Sequence, residues 1–312
     1  MEGPLARLLQ HVLPGARLRA ARPLAGGVSA EVTALEVVHP DGRAETLVLR
    51  RHGAADLARD PDIAAHEFRL LQLLQAAGVP APLPLYLDES GTILPTPFLL
   101  QSFVDGDTED VPADLDDHMR QLAGALAAIH RVPASEVPFL PLQEEQAAAL
   151  IAQPRPELDE SLAESRLRTA LAASWPPPRR NPPVLLHGDV WPGNLLWRGG
   201  RLQAMVDWED AAIGDPLADL ANARLELFIA LGENAMAALT RHYLAISAID
   251  TAALPLWDLW AALRPIAGLP GWGLEPEVEH RLRERHRAFT ARALAAEASP
   301  TSGPAAAAPA RL

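Results

Sequence analysis

Short runs of alternating apolar and polar residues dominate the first third of the chain, and turn-forming residues separate them. Such runs are typical of half-buried β-strands. The predicted strands are residues 17–24, 30–38, 46–50, 83–87 and 97–103.

A helical spacing of apolar residues interrupts these strands at two places. It is present in residues 5–12, which a Pro-Gly pair follows, and is stronger in residues 63–77, which Gly78 closes. We therefore expect a small, mostly antiparallel sheet with one crossing helix.

The pattern changes to a predominantly helical one after Gly106. Predicted helices are residues 115–130, 142–152 and 158–173, and the helical period continues from Asp219 to about residue 296. A predicted hairpin interrupts them, in which residues 194–197 pair with 202–206 through a turn at Gly199-Gly200.

The element order predicts an α+β fold with two lobes. Residues 1–104 form a β-rich lobe and residues 105–296 a larger, mainly helical lobe. Residues 297–312 are rich in Ala, Pro and Ser, and we predict that this tail is disordered.

Composition excludes several classes of function. The net charge of −13 argues against a nucleic-acid partner that needs a broad basic surface. The sequence contains neither Cys nor Lys, so thiol chemistry, Schiff-base chemistry and a phosphate-binding loop with its Lys are excluded. With no long apolar run and no signal peptide, we expect a cytoplasmic protein without membrane association. The oligomeric state is not specified.

Polar residues that could take part in a reaction are concentrated in the stretch LLHGDVWPGNLLW and after the hairpin that follows it. The stretch holds His187, Asp189 and Asn194, and the hairpin is expected to bring Asp207 back beside Asn194. An amide oxygen beside a carboxylate is a ligand set that suits Mg²⁺. Asp189 is then placed to accept a proton from a hydroxyl group.

The spacing HxDxxxxN followed by an Asp at a strand end resembles the aminoglycoside phosphotransferase family, which has a protein-kinase-like fold. The resemblance extends in order over most of the chain, to about residue 275, and includes GDPLADLA at residues 214–221. It implies Mg²⁺-dependent phosphoryl transfer from ATP to a hydroxyl group of a small molecule. It also implies that Asp189 is the catalytic base, that Asn194 and Asp207 bind the metal, and that His187 and Asp219 are structural supports.

The resemblance also implies a nucleotide site in the first lobe. Gly26, Gly27 and Ser29 of AGGVSA are expected near the phosphates, although this motif by itself would favour an ordinary hairpin turn. Arg50, which stands where this fold usually has Lys, is expected to contact the phosphates and to pair with Glu67. The backbone of residues 102–104, from Ser102 to Val104, is expected to meet the adenine edge.

Some interpretations remain open. The alternative function is a catalytically weak nucleotide-binding module resembling a pseudokinase, which Arg50 favours. Glu209 and Asp210 either lie behind the metal ligands and support them or are simply solvated charges. Two other classes are rejected. The chain lacks the G-x-S-x-G motif that a serine hydrolase needs, and its remaining His residues are not clustered as the ligands of a metallohydrolase would be. His130 and the helical Trp residues are expected in the core, and the acceptor is not specified.

Overall fold

The computed structural model describes residues 3–24, 30–108 and 112–298 of the chain. Its α+β architecture confirms the predicted fold class. A five-stranded antiparallel sheet has the strand order β1-β2-β3-β5-β4. The strands are β1 (Arg17–Pro23), β2 (Ala30–Val38), β3 (Ala44–His52), β4 (Pro84–Asp88) and β5 (Phe98–Ser102).

Three helices accompany this sheet in the described residues, α1 (Pro4–Val12), α2 (Ala54–Arg59) and α3 (Ile63–Ala76). The prediction of one crossing helix corresponds to α3 and missed α2, which has only six residues and so little periodicity to detect. Gly78 ends α3 with a positive φ of 72°, and Val79 N–H donates to the Leu74 carbonyl oxygen beyond it.

The rest of the described chain is mainly helical, with short strand pairs inserted. The helices are α4 (Leu115–Ile129), α5 (Gln143–Ala152), α6 (Glu164–Ser174), α7 (Leu217–Leu231), α8 (Glu233–Ile246), α9 (Leu254–Leu263) and α10 (Pro276–Glu297). The strands are β6 (Val184–Leu186), β7 (Leu195–Arg198), β8 (Arg201–Met205) and β9 (Ala212–Gly214). The predicted hairpin is β7–β8, and β6 pairs with β9.

Two further details differ from the sequence prediction. Strand β9 was not predicted, because three residues show too little alternation. Residues 158–163 are not part of α6: Asp159 accepts a hydrogen bond from Ser161 N–H, and Ala163 has a left-handed φ of 58° that breaks the helical path. The boundary at residue 104 stays a prediction, and the predicted tail lies outside the described residues from position 299 onward.

Two apolar clusters lie on opposite faces of the five-stranded sheet. The smaller cluster joins α1 to the sheet through residues such as Leu8, Leu35 and Phe98. The larger one runs through the helical lobe and includes the buried face of α3, with Leu70 and Leu74. Helix α3 therefore shares a core with the helical lobe.

None of the helices in the described parts of the chain is both long and apolar enough to cross a bilayer.

Candidate active site

The loop that carries Asp189 runs from β6 to β7 and makes a tight turn at Gly188, where φ is 85°. A Cβ at Gly188 would overlap the backbone of Asp210, so this close approach requires glycine. The loop ends in a single 3₁₀ turn, residues 192–194. Asp189 is thereby held at the surface of the helical lobe, with its side chain 37% exposed.

Asp219, in the first turn of α7, fixes the start of this loop. Its carboxylate accepts hydrogen bonds from His187 N–H at 2.8 Å and Gly188 N–H at 2.9 Å. His130 Nε2 lies 3.1 Å from the same carboxylate, and His130 Nδ1 lies 2.6 Å from the Tyr243 hydroxyl. Burial opposes ionisation of Asp219, but His130 and these donors hold its pKa below the usual value. His130 is thus a core residue at the end of α4, as expected.

His187 is fully buried below the same loop. Its Nδ1 accepts from Asp189 N–H at 3.3 Å, and its Nε2 donates to the Val206 carbonyl oxygen at 3.1 Å. One ring nitrogen accepts and the other donates, which is the pattern of a neutral imidazole. Burial lowers the pKa of His187, in agreement with that state. The ring therefore links the Asp189 loop to the strand end before Asp207.

Asn194 joins the two acidic positions of the site. Its Nδ2 donates to the backbone oxygen of Asp189 at 2.9 Å and lies 3.2 Å from Asp189 Oδ2. Its backbone oxygen accepts from Val206 N–H at 2.9 Å, which places Asp207 directly beside it. The contacts made with other described residues occupy the amide nitrogen of Asn194, and its Oδ1 accepts no hydrogen bond from them.

Asp207 has a left-handed backbone with a φ of 63°, an uncommon conformation for a residue with a side chain. Arg50 Nη2 lies 3.4 Å from Asp207 Oδ1 and 3.5 Å from Glu209 Oε2. Burial and the neighbouring Glu209 raise the pKa of Asp207, while Arg50 opposes that rise. A divalent cation would relieve this crowding of negative charge, so the oxygen ligands of Asn194 and Asp207 fit Mg²⁺.

The Arg50 side chain reaches the site from β3 and is 8% exposed. Its Nε donates to Glu67 Oε2 at 3.0 Å, and His52 Nε2 lies 2.9 Å from the same oxygen. Burial opposes ionisation of Glu67, but Arg50 and His52 hold its pKa below the usual value. Arg51 points to the other face of the strand and pairs with Glu31.

A cleft of about 410 Å³ lies between the sheet and the helical lobe. Its walls include Arg50, Glu67, Asn194, Asp207 and the segment 101–104, which contains Ser102 and Val104. Ser102 N–H donates to Leu83 O at 2.9 Å, so this donor is used within the sheet and is not available to a ligand. Gly26, Gly27 and Ser29 lie outside the described residues.

Asp189 lies beyond the lining of this cleft, on the side toward α7 and α9. Burial raises the pKa of Asp189 to about 6; Asp210 and Asp207 add to the rise, and Arg264 and Asn194 oppose it. A carboxylate with this pKa is ionised at neutral pH and is a stronger base than an ordinary Asp.

Two residues beside Asp189 were not among the predicted site residues. Arg264 Nη2 lies 3.8 Å from Asp189 Oδ1, and half-buried Glu226 on α7 lies within electrostatic range of both. Burial raises the pKa of Glu226 to about 7, and Asp189 adds to that rise. Neither belongs to a recognisable motif, because only the folding of α7 and α9 brings them to the loop. Trp257 and Trp260 are buried, as expected, whereas Trp272 is half exposed.

Comparison with known proteins shows the family to which this chain belongs. The profile of the phosphotransferase enzyme family matches residues 20–266, which is most of the chain. The chain belongs to this family.

Three solved phosphotransferase-type structures share the fold. A candidate aminoglycoside phosphotransferase from Ralstonia eutropha has a TM-score of 0.67 and 17% identity, and the match covers 94% of this chain and 97% of that one. The GDP and kanamycin complex of APH(2")-IIIa has a TM-score of 0.63 and 20% identity, with coverages of 93% and 95%. Macrolide 2'-phosphotransferase type I has a TM-score of 0.63 and 19% identity, with coverages of 90% and 95%.

A relative in sequence is acyl-CoA dehydrogenase family member 10 of Mus musculus, which is 27% identical over 197 residues. The match covers 59% of this chain and 18% of the mouse protein, so the chain spans less than a fifth of that relative.

The buried carboxylate of Asp219 gives a prediction about stability. Asp219→Asn removes the charge and one acceptor from the two loop N–H groups, and we expect the free energy of unfolding in urea to fall by about 3 kcal/mol or more. Asp114→Asn is the matched control, because exposed Asp114 caps α4 and Asn is an equally good cap. Equal small effects of the two substitutions would contradict this account.

The same carboxylate predicts a dependence on pH. The folded-state pKa of Asp219 lies below its ordinary value of 3.8, so its contribution is fully present above that value and is lost as the pH falls toward the folded-state pKa. We therefore expect wild type to lose stability more steeply than Asp219→Asn in acid below about pH 4. Urea unfolding at a series of pH values measures the difference, and parallel curves would contradict it.

Proposed function

We propose that the protein transfers the γ-phosphoryl group of ATP, with Mg²⁺, to a hydroxyl group of a small molecule. The observation that carries this proposal is the position of Asn194 between Asp189 and Asp207. The side-chain amide of Asn194 contacts Asp189, the proposed proton acceptor, and its backbone oxygen pairs with the residue before Asp207, the proposed oxygen ligand, at the edge of the cleft that Arg50 and Glu67 line.

In the proposed reaction the acceptor hydroxyl donates a hydrogen bond to the Asp189 carboxylate. A bond forms between the acceptor oxygen and the γ-phosphorus, and the bond from that phosphorus to the bridging oxygen of ADP breaks. The hydroxyl proton passes to Asp189, which later releases it to solvent. Asn194 and Asp207 would hold Mg²⁺, whose role is to neutralise charge on the phosphate oxygens.

The cleft between sheet and helical lobe is the proposed nucleotide site. Arg50 faces the phosphates with a guanidinium group that Glu67 holds in place. With Ser102 N–H used by the sheet, Phe103 and Val104 remain to offer backbone groups to the base. The glycine loop, Gly26, Gly27 and Ser29, is proposed to cover the phosphates. Two of the structural relatives hold GDP and kanamycin, or AMP-PNP and hygromycin B, so ATP and GTP are to be compared directly.

The proposal is tested by replacing Asp189. Asp189→Ala and the isosteric Asp189→Asn both remove the proton acceptor, and we expect turnover to fall by about 10²–10⁴-fold. ADP release from Mg²⁺ and ATP is measured with kanamycin, hygromycin B, a macrolide, ethanolamine and glucose as acceptors. Asp116→Ala is the control, because exposed Asp116 lies at the far end of α4 and pairs with Arg241.

A positive acceptor whose turnover disappears in both Asp189 variants establishes the reaction and the class of acceptor. Turnover that survives these substitutions would reject Asp189 as the base. Nucleotide binding without turnover on any acceptor or on water would favour the weak nucleotide-binding module, and the absence of both binding and turnover would reject the proposal.

Asp207 gives a test of the metal site. Asp207→Asn keeps the size of the side chain but removes a charged oxygen ligand, so we expect the Mg²⁺ concentration for half-maximal activity to rise about tenfold or more. Glu209→Gln, which removes a nearby charge that also contacts Arg50, is expected to shift it much less. ADP release in a Mg²⁺ titration measures both. Equal shifts would show that local charge, and not ligation by Asp207, governs the metal dependence.

Replacing Arg50 separates the two alternatives. In one, an enzyme uses Arg where the fold usually has Lys; in the other, a nucleotide-binding module has weak catalytic activity because that Lys is missing. The guanidinium contacts Glu67 and Asp207 through two different nitrogens, an arrangement that the single nitrogen of Lys does not reproduce, so we expect Arg50→Lys to lower kcat/KM for ATP by about tenfold. Arg51→Lys, one residue away on the opposite face, is expected to have no effect. A rise in activity in Arg50→Lys would support the weak-module alternative.

A further inference from the structure

Two arginines divide the carboxylates of the site between them. Arg50 reaches from β3 to Asp207 and Glu209, at 3.4 Å and 3.5 Å. Arg264 reaches from the end of α9 to the other two carboxylates. Its Nη2 lies 3.8 Å from Asp189 Oδ1 and 3.7 Å from Asp210 Oδ2. The metal side and the acceptor side of the site thus each have a cation.

Groups other than those carboxylates hold Arg264 in place. Its guanidinium lies over the Trp260 ring, 5.1 Å from the ring centre. Its Nη1 donates to Asn222 Oδ1 at 2.5 Å, and Asn222 Nδ2 donates to the Val190 carbonyl oxygen at 3.2 Å. Arg264 is therefore connected through α7 to the residue that follows Asp189.

The distances to Asp189 and Asp210 exceed those of hydrogen bonds. The guanidinium is thus anchored by Trp260 and Asn222 and acts on the two carboxylates as a nearby charge. Asp189 is held on its Oδ2 side by Asn194, and Arg264 is the cation beside its Oδ1. Without Arg264, repulsion between Asp189 and Asp210 would be uncompensated on the side that the acceptor must approach.

We propose that Arg264 is a positioning residue for phosphoryl transfer. From its fixed place at the end of α9, its positive charge offsets the repulsion between Asp210 and Asp189 and so keeps the Asp189 carboxylate directed at the acceptor hydroxyl. This inference rests on the proposed function, since it concerns the same base. It assigns Arg264 no contact with the nucleotide, because Arg264 does not line the cleft that contains Arg50.

The first test is a comparison of kcat with nucleotide affinity. Arg264→Ala is expected to lower kcat by about tenfold to a hundredfold, since small displacements of a catalytic group have effects of this size. The KM for ATP and the affinity for ATP by calorimetry are expected to stay within about twofold of wild type, since the nucleotide cleft is unchanged. The assay is ADP release from Mg²⁺ and ATP, with water and with the acceptor panel above.

The second test is chemical rescue. Guanidinium chloride at millimolar concentrations, far below those that unfold proteins, is expected to restore part of kcat in Arg264→Ala, while sodium chloride is not. Arg264→Lys is expected to retain an intermediate kcat, because it keeps the charge but loses the fixed link to Asn222. Asn222→Ala is expected to lower kcat less and to show no rescue. Arg292→Ala, which removes an exposed arginine paired with Glu233, is the charge control and is expected to behave as wild type.

The outcomes separate this inference from the proposed function. A wild-type protein without ADP release on water or any acceptor would reject the proposed function, and this inference with it. A wild-type protein with turnover and an Arg264→Ala variant with unchanged kcat would reject the inference alone. A variant that loses kcat, thermal stability and ATP affinity together, without rescue by guanidinium, would show a structural role and also reject it.

Discussion

The position of the loop that carries Asp189 depends on one buried carboxylate, that of Asp219. It accepts two successive backbone N–H groups, of His187 and Gly188, in an environment where an unpaired charge would be costly. His130 supplies a third contact from α4, so two helices and the loop meet at one charge. The loop itself contains too few residues to specify such a turn. Its geometry comes from the helical lobe that surrounds it.

Around this fixed point the polar groups form a connected network of hydrogen bonds and ion pairs. His187 links the loop to the strand end before Asp207, Asn194 links Asp189 to that strand end, and Arg50 links Asp207 to α3 through Glu67. Asp189, Asn194, Asp207 and Arg50, the residues of the proposed reaction, are therefore set relative to one another by these contacts.

The sequence was informative where chemistry depends on short spacing. The positions of Asp189, Asn194 and Asp207 follow from a loop and a hairpin, both of which are local, and the structure brings the three together. It did not single out Arg264 or Glu226 as site residues, because they are distant in sequence and reach the loop only through helix packing. Strand β9 was missed for a related reason, since its pairing with β6 is a long-range contact between two very short segments.

The core shared by α3 and the helical lobe has a consequence for motion. Leu70 and Leu74 of α3 belong to the same apolar cluster as the helical lobe, and Met205 N–H donates to Pro80 O just beyond this helix. Separating the two lobes as rigid bodies would expose that shared apolar surface to water, at a free-energy cost of about 25 cal/mol for each Å². Arg50 lies on the sheet and Glu67 on α3, so their buried ion pair would also oppose a displacement of the sheet along this helix.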